Sequence, residues 1–255
     1  MLNEEIANCC KRLKLSQNLA DMAQNIDGGT HQEYLVKLLD SELKNREVGR
    51  ISKLVNSAGF HGIKTFDAFR FDEVTLPTDL TVENLKSLSF IKERKNIIMY
   101  GRTGTGKTML STAIGVLACQ RGIPVKFYRT AALVNKLSEA KKSGTLGTIL
   151  KKLDKVSAII LDEWGYVPYD RNGAQLLFDY LSEIHEQKSI ILNTNLEFSR
   201  WVNVLYDEHM TAALIGRLTH HCHLLLFPGS NNRLRESSIN ELYNTISQQN
   251  NREEP

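Results

Sequence analysis

"NIIMYGRTGTGKTML", Asn96 to Leu110, decides how this chain folds. Gly101, Gly106, Lys107 and Thr108 fill the pattern G-x-x-x-x-G-K-[ST]. An apolar run, NIIMY, precedes the loop, and Leu110, Ala113, Ile114 and Leu117 follow it at helical spacing. A chance glycine-rich turn has neither flank. Strand, glycine loop and helix start together make a phosphate cradle, in which backbone N–H groups turn inward and the helix N-terminus adds its positive end. The expected nucleotide contacts are Gly101, Thr103, Gly104, Thr105, Gly106, Lys107, Thr108 and Met109. Lys107 is expected to reach the β and γ phosphates, and Thr108 to ligate Mg²⁺.

Outward from this loop, short β-rich runs recur at Val125 to Thr130 (VKFYRT), Ser157 to Asp162 (SAIILD), Ser189 to Thr194 (SIILNT) and His223 to Phe227 (HLLLF). Helical patterns separate them. Continuously apolar strands alternating with helices predict an α/β fold with a parallel sheet flanked by helices, the phosphate-loop NTPase architecture. A final helix is expected near Ser238 to Gln249.

Two of these strands end in candidate chemistry. "AIILDEWGY" closes on Asp162 and Glu163, and ligands of parallel sheets sit beyond the carboxyl ends of strands. Asp162 is expected to hold Mg²⁺ and Glu163 to orient or deprotonate the attacking water. "IILNTNLEFSRW" ends in Asn193, Thr194 and Asn195; an amide here can hold the lytic water or touch the γ phosphate. The exact strand end decides which asparagine points inward, and Asn195 is the favoured one. Together these features describe an ATPase with ATP and Mg²⁺ as cofactors. The chain has no N-K-x-D motif of the kind that reads guanine, which disfavours a GTPase.

The first 58 residues or so read as helical. From His31 onward, Leu35, Leu38, Leu39, Leu43, Val48, Ile51, Leu54 and Val55 mark one face. Arg46, Arg50 and Lys53 mark another. Asp27 to Thr30 (DGGT) separates this helix from an earlier one and offers Thr30 as a cap. Residues 59–77 read as a linker. The expected organisation is a helical N-terminal domain with linker over residues 1–66 and an ATPase domain over 67–255.

Composition is that of an ordinary globular chain, 42% hydrophobic and 24% charged. No apolar run approaches the roughly 20 residues that span a bilayer, and the N-terminus shows no secretory pattern. The expected location is cytoplasmic, without a membrane partner. The four cysteines have no zinc-site spacing and read as reduced thiols.

Net charge is only +3, but Lys136 to Lys155 carries six lysines against two acids. A cationic segment beside a motor site suggests DNA-backbone contact through Lys141, Lys142, Lys151 and Lys152. A solvated helix face is the plain alternative. The Arg46 and Arg50 stripe is a second candidate for DNA, set among Glu42 and Glu47. "RLTHHCH", Arg217 to His223, invites a metal, yet neighbouring residues of a strand point to opposite faces, so it reads better as the start of a buried strand. Arg217 can serve a salt bridge or reach a neighbouring subunit's γ phosphate.

GRTGTGKT, LDEWGY, LNTNLEFSRW and TAALIGRLTHHCH, in this order, resemble the IstB-like helper ATPases of insertion sequences. These are AAA+ proteins related to the helicase loader DnaC. The resemblance covers most of the chain, and DE-x-GY, TNL-x-FS-x-W and TAAL-x-x-RL-x-HH are its narrow parts. It implies an ATP-dependent DNA-binding protein that assembles into homo-oligomers with ATP between subunits and recruits and stimulates a transposase. The alternative partner is a replicative helicase, as for a loader. It also implies Lys107 and Thr108 at the phosphates, Asp162 and Glu163 at metal and water, Asn195 as polar sensor and Arg217 as an arginine finger. The sequence departs from the pattern at Gly216, where an acid is usual, and at Asn232 and Arg233, which replace S-Y-R. Arg233 is still expected to reach the nucleotide, from a minimal C-terminal lid.

Overall fold

The computed structural model describes residues 2–166, 169–229 and 231. Arg233, the helix expected near Ser238 to Gln249 and the minimal lid lie outside the described residues. The chain divides into two compact units, Met1–Asn56 and Ser57–Pro255. The sequence reading drew this line later, at 66/67. The difference arises because the segment read as a linker packs within the second unit.

The first unit holds α1 (Leu2–Leu13), α2 (Leu19–Asn25) and the start of α3 (His31–Ala58). Thr30 caps α3 as expected. Its Oγ1 accepts from the Glu33 N–H at 3.2 Å and Glu33 Oε2 accepts from the Thr30 N–H at 2.9 Å, a reciprocal capping box. Within this unit, the buried residue of α3 is Glu42, 4% exposed. Both its carboxylate oxygens accept from the Ser16 N–H at 3.1 Å, and hydrogen bonding to Ser16 holds its carboxyl below the ordinary carboxylate value. Leu35, Leu39, Leu43 and Val48 are exposed instead. Arg46 pairs with Glu42 at 2.6 Å and Arg50 with Glu47 at 2.7 Å, so both candidate DNA contacts already have acids beside them.

After its first stretch the second unit holds α4 (Val82–Ser87) and α5 (Ser89–Lys92), then strands separated by one or two helices: β1 (Asn96–Gly101), α6 (Lys107–Gln120), β2 (Val125–Arg129), α7 (Thr130–Lys142), α8 (Leu146–Leu153), β3 (Ala158–Trp164), α9 (Arg171–Glu183), β4 (Ser189–Thr194), α10 (Val202–Leu205), α11 (Glu208–His220) and β5 (Cys222–Phe227). The five strands form one parallel sheet in the order β2-β3-β4-β1-β5. Alternate residues of a strand face opposite sides. Ile98, Ile159, Leu161, Ile190 and Leu192 join the core formed with α7, α9 and α11. Ile160 faces the other way, toward Gly115 of α6, where a Cβ would meet its Cδ1 at 2.8 Å.

β3 outruns its expected end at Asp162 and continues to Trp164, with a register shift against β4 between Leu161 and Trp164. Trp164 is fully buried against Trp201, ring centroids 4.9 Å apart. That anchor fixes the strand end from which Asp162 and Glu163 project. The segment read as a linker is structured. Phe60 packs edge-on to Phe127 at 5.9 Å, and Thr75 pairs antiparallel with Leu226 of β5 through hydrogen bonds of 2.9 and 3.0 Å.

Candidate functional site

The loop between β1 and α6 sits at the carboxyl end of the sheet. Gly106 has φ of 101°, a conformation that glycine takes freely, and a Cβ there would press on the Phe69 ring at 3.1 Å. Lys107 begins α6, and its ammonium donates to the carbonyls of Gly101 and Arg102, both at 2.6 Å. Thr105 ties the loop by donating to the Arg102 carbonyl at 2.8 Å.

Asp162 is the hub of the site and is 5% exposed. Thr108 Oγ1 donates toward its two carboxylate oxygens at 3.1 and 3.0 Å. Asn193 Nδ2 donates to Oδ1 at 2.9 Å and to Ser111 Oγ at 2.7 Å. The Asp162 backbone carbonyl accepts from Thr130 Oγ1 at 2.8 Å, which fixes β3 to the first turn of α7. A buried charge is tolerated when it is this fully hydrogen-bonded. Glu163, the next residue, has φ of +58° and turns outward. Its carboxylate is half-exposed and lies 3.5 Å from Arg129 Nε at the end of β2.

These groups line one cavity of about 870 Å³. The loop residues Thr103 to Met109, the acids Asp162 and Glu163, and Asn193 to Asn195 form one side of it. Residues 61–64, 68–70 and 72–74, including Ile63, Phe69 and Val74, form a second wall. The sequence reading missed this second wall. Its only sequence signal was the aromatic content of FDAFRF, Phe66 to Phe71, in a stretch that reads as linker.

Of the predicted site residues, the structure brings together the loop, Asp162, Glu163 and Asn195. Asn195 is exposed and donates to Thr103 Oγ1 at 3.5 Å, whereas Asn193, the alternative at that strand end, is the buried amide that reaches Asp162. Asn193 Oδ1 is buried without a hydrogen-bond partner beside the Asp162 carboxylate. Arg217, on α11, does not line this cavity. It donates to Ser182 Oγ and lies over the Phe178 ring at 5.4 Å, both on α9. Lys141 and Lys142 end α7, Lys151 and Lys152 lie in α8, and all four are exposed.

Comparison with known proteins gives a consistent result. The family described as IstB-like ATP binding protein matches residues 11–240. A protein named for ATP binding in insertion sequence IS5376 of Geobacillus stearothermophilus is 31% identical over 245 residues, covering 94% of this chain and 98% of that one. A counterpart from insertion sequence IS21 of Pseudomonas aeruginosa is 32% identical over 206 residues, covering 81% and 78%. Among solved structures, AMPPCP-bound DnaA from Aquifex aeolicus superposes with a TM-score of 0.55 at 20% identity. The likeness covers 71% of this chain and 57% of that one, and it shows a shared fold.

Proposed function

This chain belongs to the IstB-like ATP-binding proteins, and from that premise we propose that it is a Mg²⁺-dependent ATPase that assembles on DNA to assist transposition. The observation that carries the reading is the convergence of Thr108, Asn193 and the buried Asp162 beside the phosphate loop.

The residues fit Mg²⁺. A hydroxyl and a carboxylate 3.0 Å apart are hard oxygen donors at the mouth of a phosphate cradle, the donor type this ion takes along with water and phosphate oxygens. When bound, the ion neutralises charge on the phosphates. The chain's own groups supply the rest. Lys107 exchanges its loop carbonyls for phosphate oxygens, and the loop N–H groups hold the phosphate chain. Asn193 keeps the Asp162 carboxylate oriented. Glu163 swings from Arg129 to orient and deprotonate water in line with the γ phosphate. Ile63, Phe69 and Val74 offer an apolar wall to the base.

DNA as partner rests on the exposed lysines of α7 and α8 and on relatives named for insertion sequences. A transposase partner and ATP shared between subunits, with Arg217 completing a neighbour's site, belong to the same reading. No described helix is long and apolar enough to cross a membrane.

Steady-state ATP hydrolysis, with and without non-specific duplex DNA across a range of protein concentrations, tests it. Stimulation by DNA, steeper than linear in protein, is expected. Turnover that is linear in protein and indifferent to DNA would overturn the shared-site and DNA parts. It would turn attention to a helicase partner.

A further inference from the structure

At the opposite end of the sheet from the phosphate loop, the turn after α9 meets the end of α11. His185 and Glu186 come from that turn, His220 from the last turn of α11, and His221 from the residue before β5. Glu186 has φ of +59°, a left-handed turn that aims its side chain back toward the helix ends, and its carbonyl is fixed by Arg94 at 3.2 Å. Three imidazole nitrogens then surround one carboxylate oxygen. His220 Nδ1 lies 3.4 Å from Glu186 Oε1, His185 Nε2 3.7 Å and His221 Nε2 3.9 Å. One donor atom from each of His185, Glu186 and His220 lies within 4.8 Å of the other two.

We propose that His185, Glu186 and His220 form a binding site for a divalent transition ion of the Zn²⁺ class, with His221 or water in the fourth position. The spacing supports this. Ligand distances of about 2.0–2.1 Å in a tetrahedral site place donor atoms roughly 3.3 Å apart. Two of the three distances to Glu186 are too long for direct hydrogen bonds, while small side-chain rotations bring all of these donors to ligand spacing. The ligand chemistry selects the ion. Imidazoles with one carboxylate favour Zn²⁺, Ni²⁺ or Cu²⁺ over Mg²⁺, which takes oxygen donors. The site is therefore chemically distinct from the hydroxyl–carboxylate pair at the phosphate loop.

Its consequence follows from position. The bound ion would clamp the end of α9 to the end of α11. Arg217 lies one turn before His220 on α11 and contacts Phe178 and Ser182 on α9. The metal would thus fix the helix pair that holds Arg217, whatever Arg217 does in an assembly. Two of these ligands belong to the RLTHHCH run. The objection that strand neighbours diverge does not apply to them, because His220 ends a helix and His221 precedes the strand.

Titration calorimetry of Zn²⁺ into the full chain, in excess Mg²⁺, tests the site. The parent is expected to bind one equivalent that the His185→Ala/His220→Ala double variant lacks. Glu186→Gln, which keeps the turn and removes the charge, should weaken it. Cys9→Ser should leave it intact, which separates it from the exposed thiol. Zn²⁺ should also raise the Tm of the parent and not that of the double variant, since a ligand of the native state alone stabilises it. Both histidine side chains reach solvent, and unchanged far-UV circular dichroism would confirm that the variant folds. Equal Zn²⁺ stoichiometry and affinity in parent and double variant would overturn the site, as would no Zn²⁺ binding by the parent.

Discussion

Asn193 donates to the Asp162 carboxylate at 2.9 Å and to Ser111 at 2.7 Å, and so links β4, β3 and α6 at the point where the metal is proposed to sit. The amide has two donors and both are used, which leaves the carboxylate one orientation. Replacing it frees Asp162 to rotate without removing the charge. Asn193→Ala is therefore expected to cost about 10–100-fold in turnover, the usual cost of losing a group that orients a metal ligand. The Mg²⁺ concentration for half-maximal rate should rise with it. Asn195→Ala, at the exposed position, should leave that Mg²⁺ dependence unchanged. A Mg²⁺ titration of hydrolysis by both variants decides between the two asparagines.

Glu163 is held by Arg129 at 3.5 Å, with both side chains about half exposed. An exposed pair of this kind is worth about 0.2–1 kcal/mol, small enough to be traded for a water in the assembled state. Arg129→Ala should raise DNA-free turnover by up to about fivefold, the rate equivalent of that energy. Glu163→Gln should abolish most turnover, about 10²-fold or more, with nucleotide affinity retained. Fluorescent-nucleotide binding beside steady-state hydrolysis separates the two effects. A slower Arg129→Ala enzyme would mean that the arginine supports the carboxylate rather than restraining it.

What was legible in the sequence follows from how locally each feature is encoded. The three central strands were readable because Ile97 to Met99, Ile159 to Leu161 and Ile190 to Leu192 are continuously apolar, as strands covered on both faces must be. The phosphate loop was readable because its glycines and Lys107 are fixed by backbone geometry within a few residues. Telling Asn193 from Asn195 needed the end of β4, because residues two apart share a face in a strand; β4 ends at Thr194, which leaves Asn193 buried inside it and Asn195 exposed beyond it. The cavity wall at 61–74 has no period to read. The group around Glu186 was hidden because its two pairs of residues, 185–186 and 220–221, meet only when α9 and α11 pack. The face of α3 shows the opposite failure. Its period was right, but Leu35, Leu39 and Leu43 face solvent while Glu42 is buried.

Phe69 tests the missed wall. Its ring lies beside Gly106 and edge-on to Phe71 at 4.9 Å. Removing it opens the cavity wall that packs on the loop at Gly106. Phe69→Ala should weaken ATP and ADP alike by about tenfold, ~1.4 kcal/mol of lost aromatic contact. The preference between the two nucleotides should not change, because the γ phosphate is expected at Lys107, Thr108 and Asp162 rather than at this ring. Equilibrium binding of both nucleotides checks this; a selective loss of ATP would place Phe69 at the phosphates instead.

Lys141, Lys142, Lys151 and Lys152 are exposed at the end of α7 and along α8. If each meets one backbone phosphate, replacing all four by Glu should flatten the slope of log K against log salt by roughly 3.6, at about 0.9 per contact. Affinity should fall equally on unrelated duplexes, since phosphates carry no sequence. Arg46→Ala/Arg50→Ala, whose guanidinium groups already face Glu42 and Glu47, should change the slope less. Fluorescence anisotropy at several salt concentrations gives both slopes. An unchanged slope in the lysine variant would mean that these lysines only solvate their helices.

Arg217 is satisfied within its own chain by Ser182 and by the Phe178 ring. A cation–π contact near the surface is worth about 0.5–1 kcal/mol, so a triphosphate presented by a neighbouring subunit can compete for the guanidinium. In such an assembly each site takes Lys107 from one subunit and Arg217 from the next. Lys107→Ala and Arg217→Ala should therefore each be inactive alone. Mixed in equal amounts, they should recover roughly a quarter of parental turnover, the share of interfaces that random head-to-tail pairing makes whole. Arg217→Ala should still bind ATP, because its own phosphate loop is complete. Recovery in the mixture requires a shared site. An inactive mixture of assembled, ATP-binding subunits would return Arg217 to the α9–α11 contact it makes within its own chain.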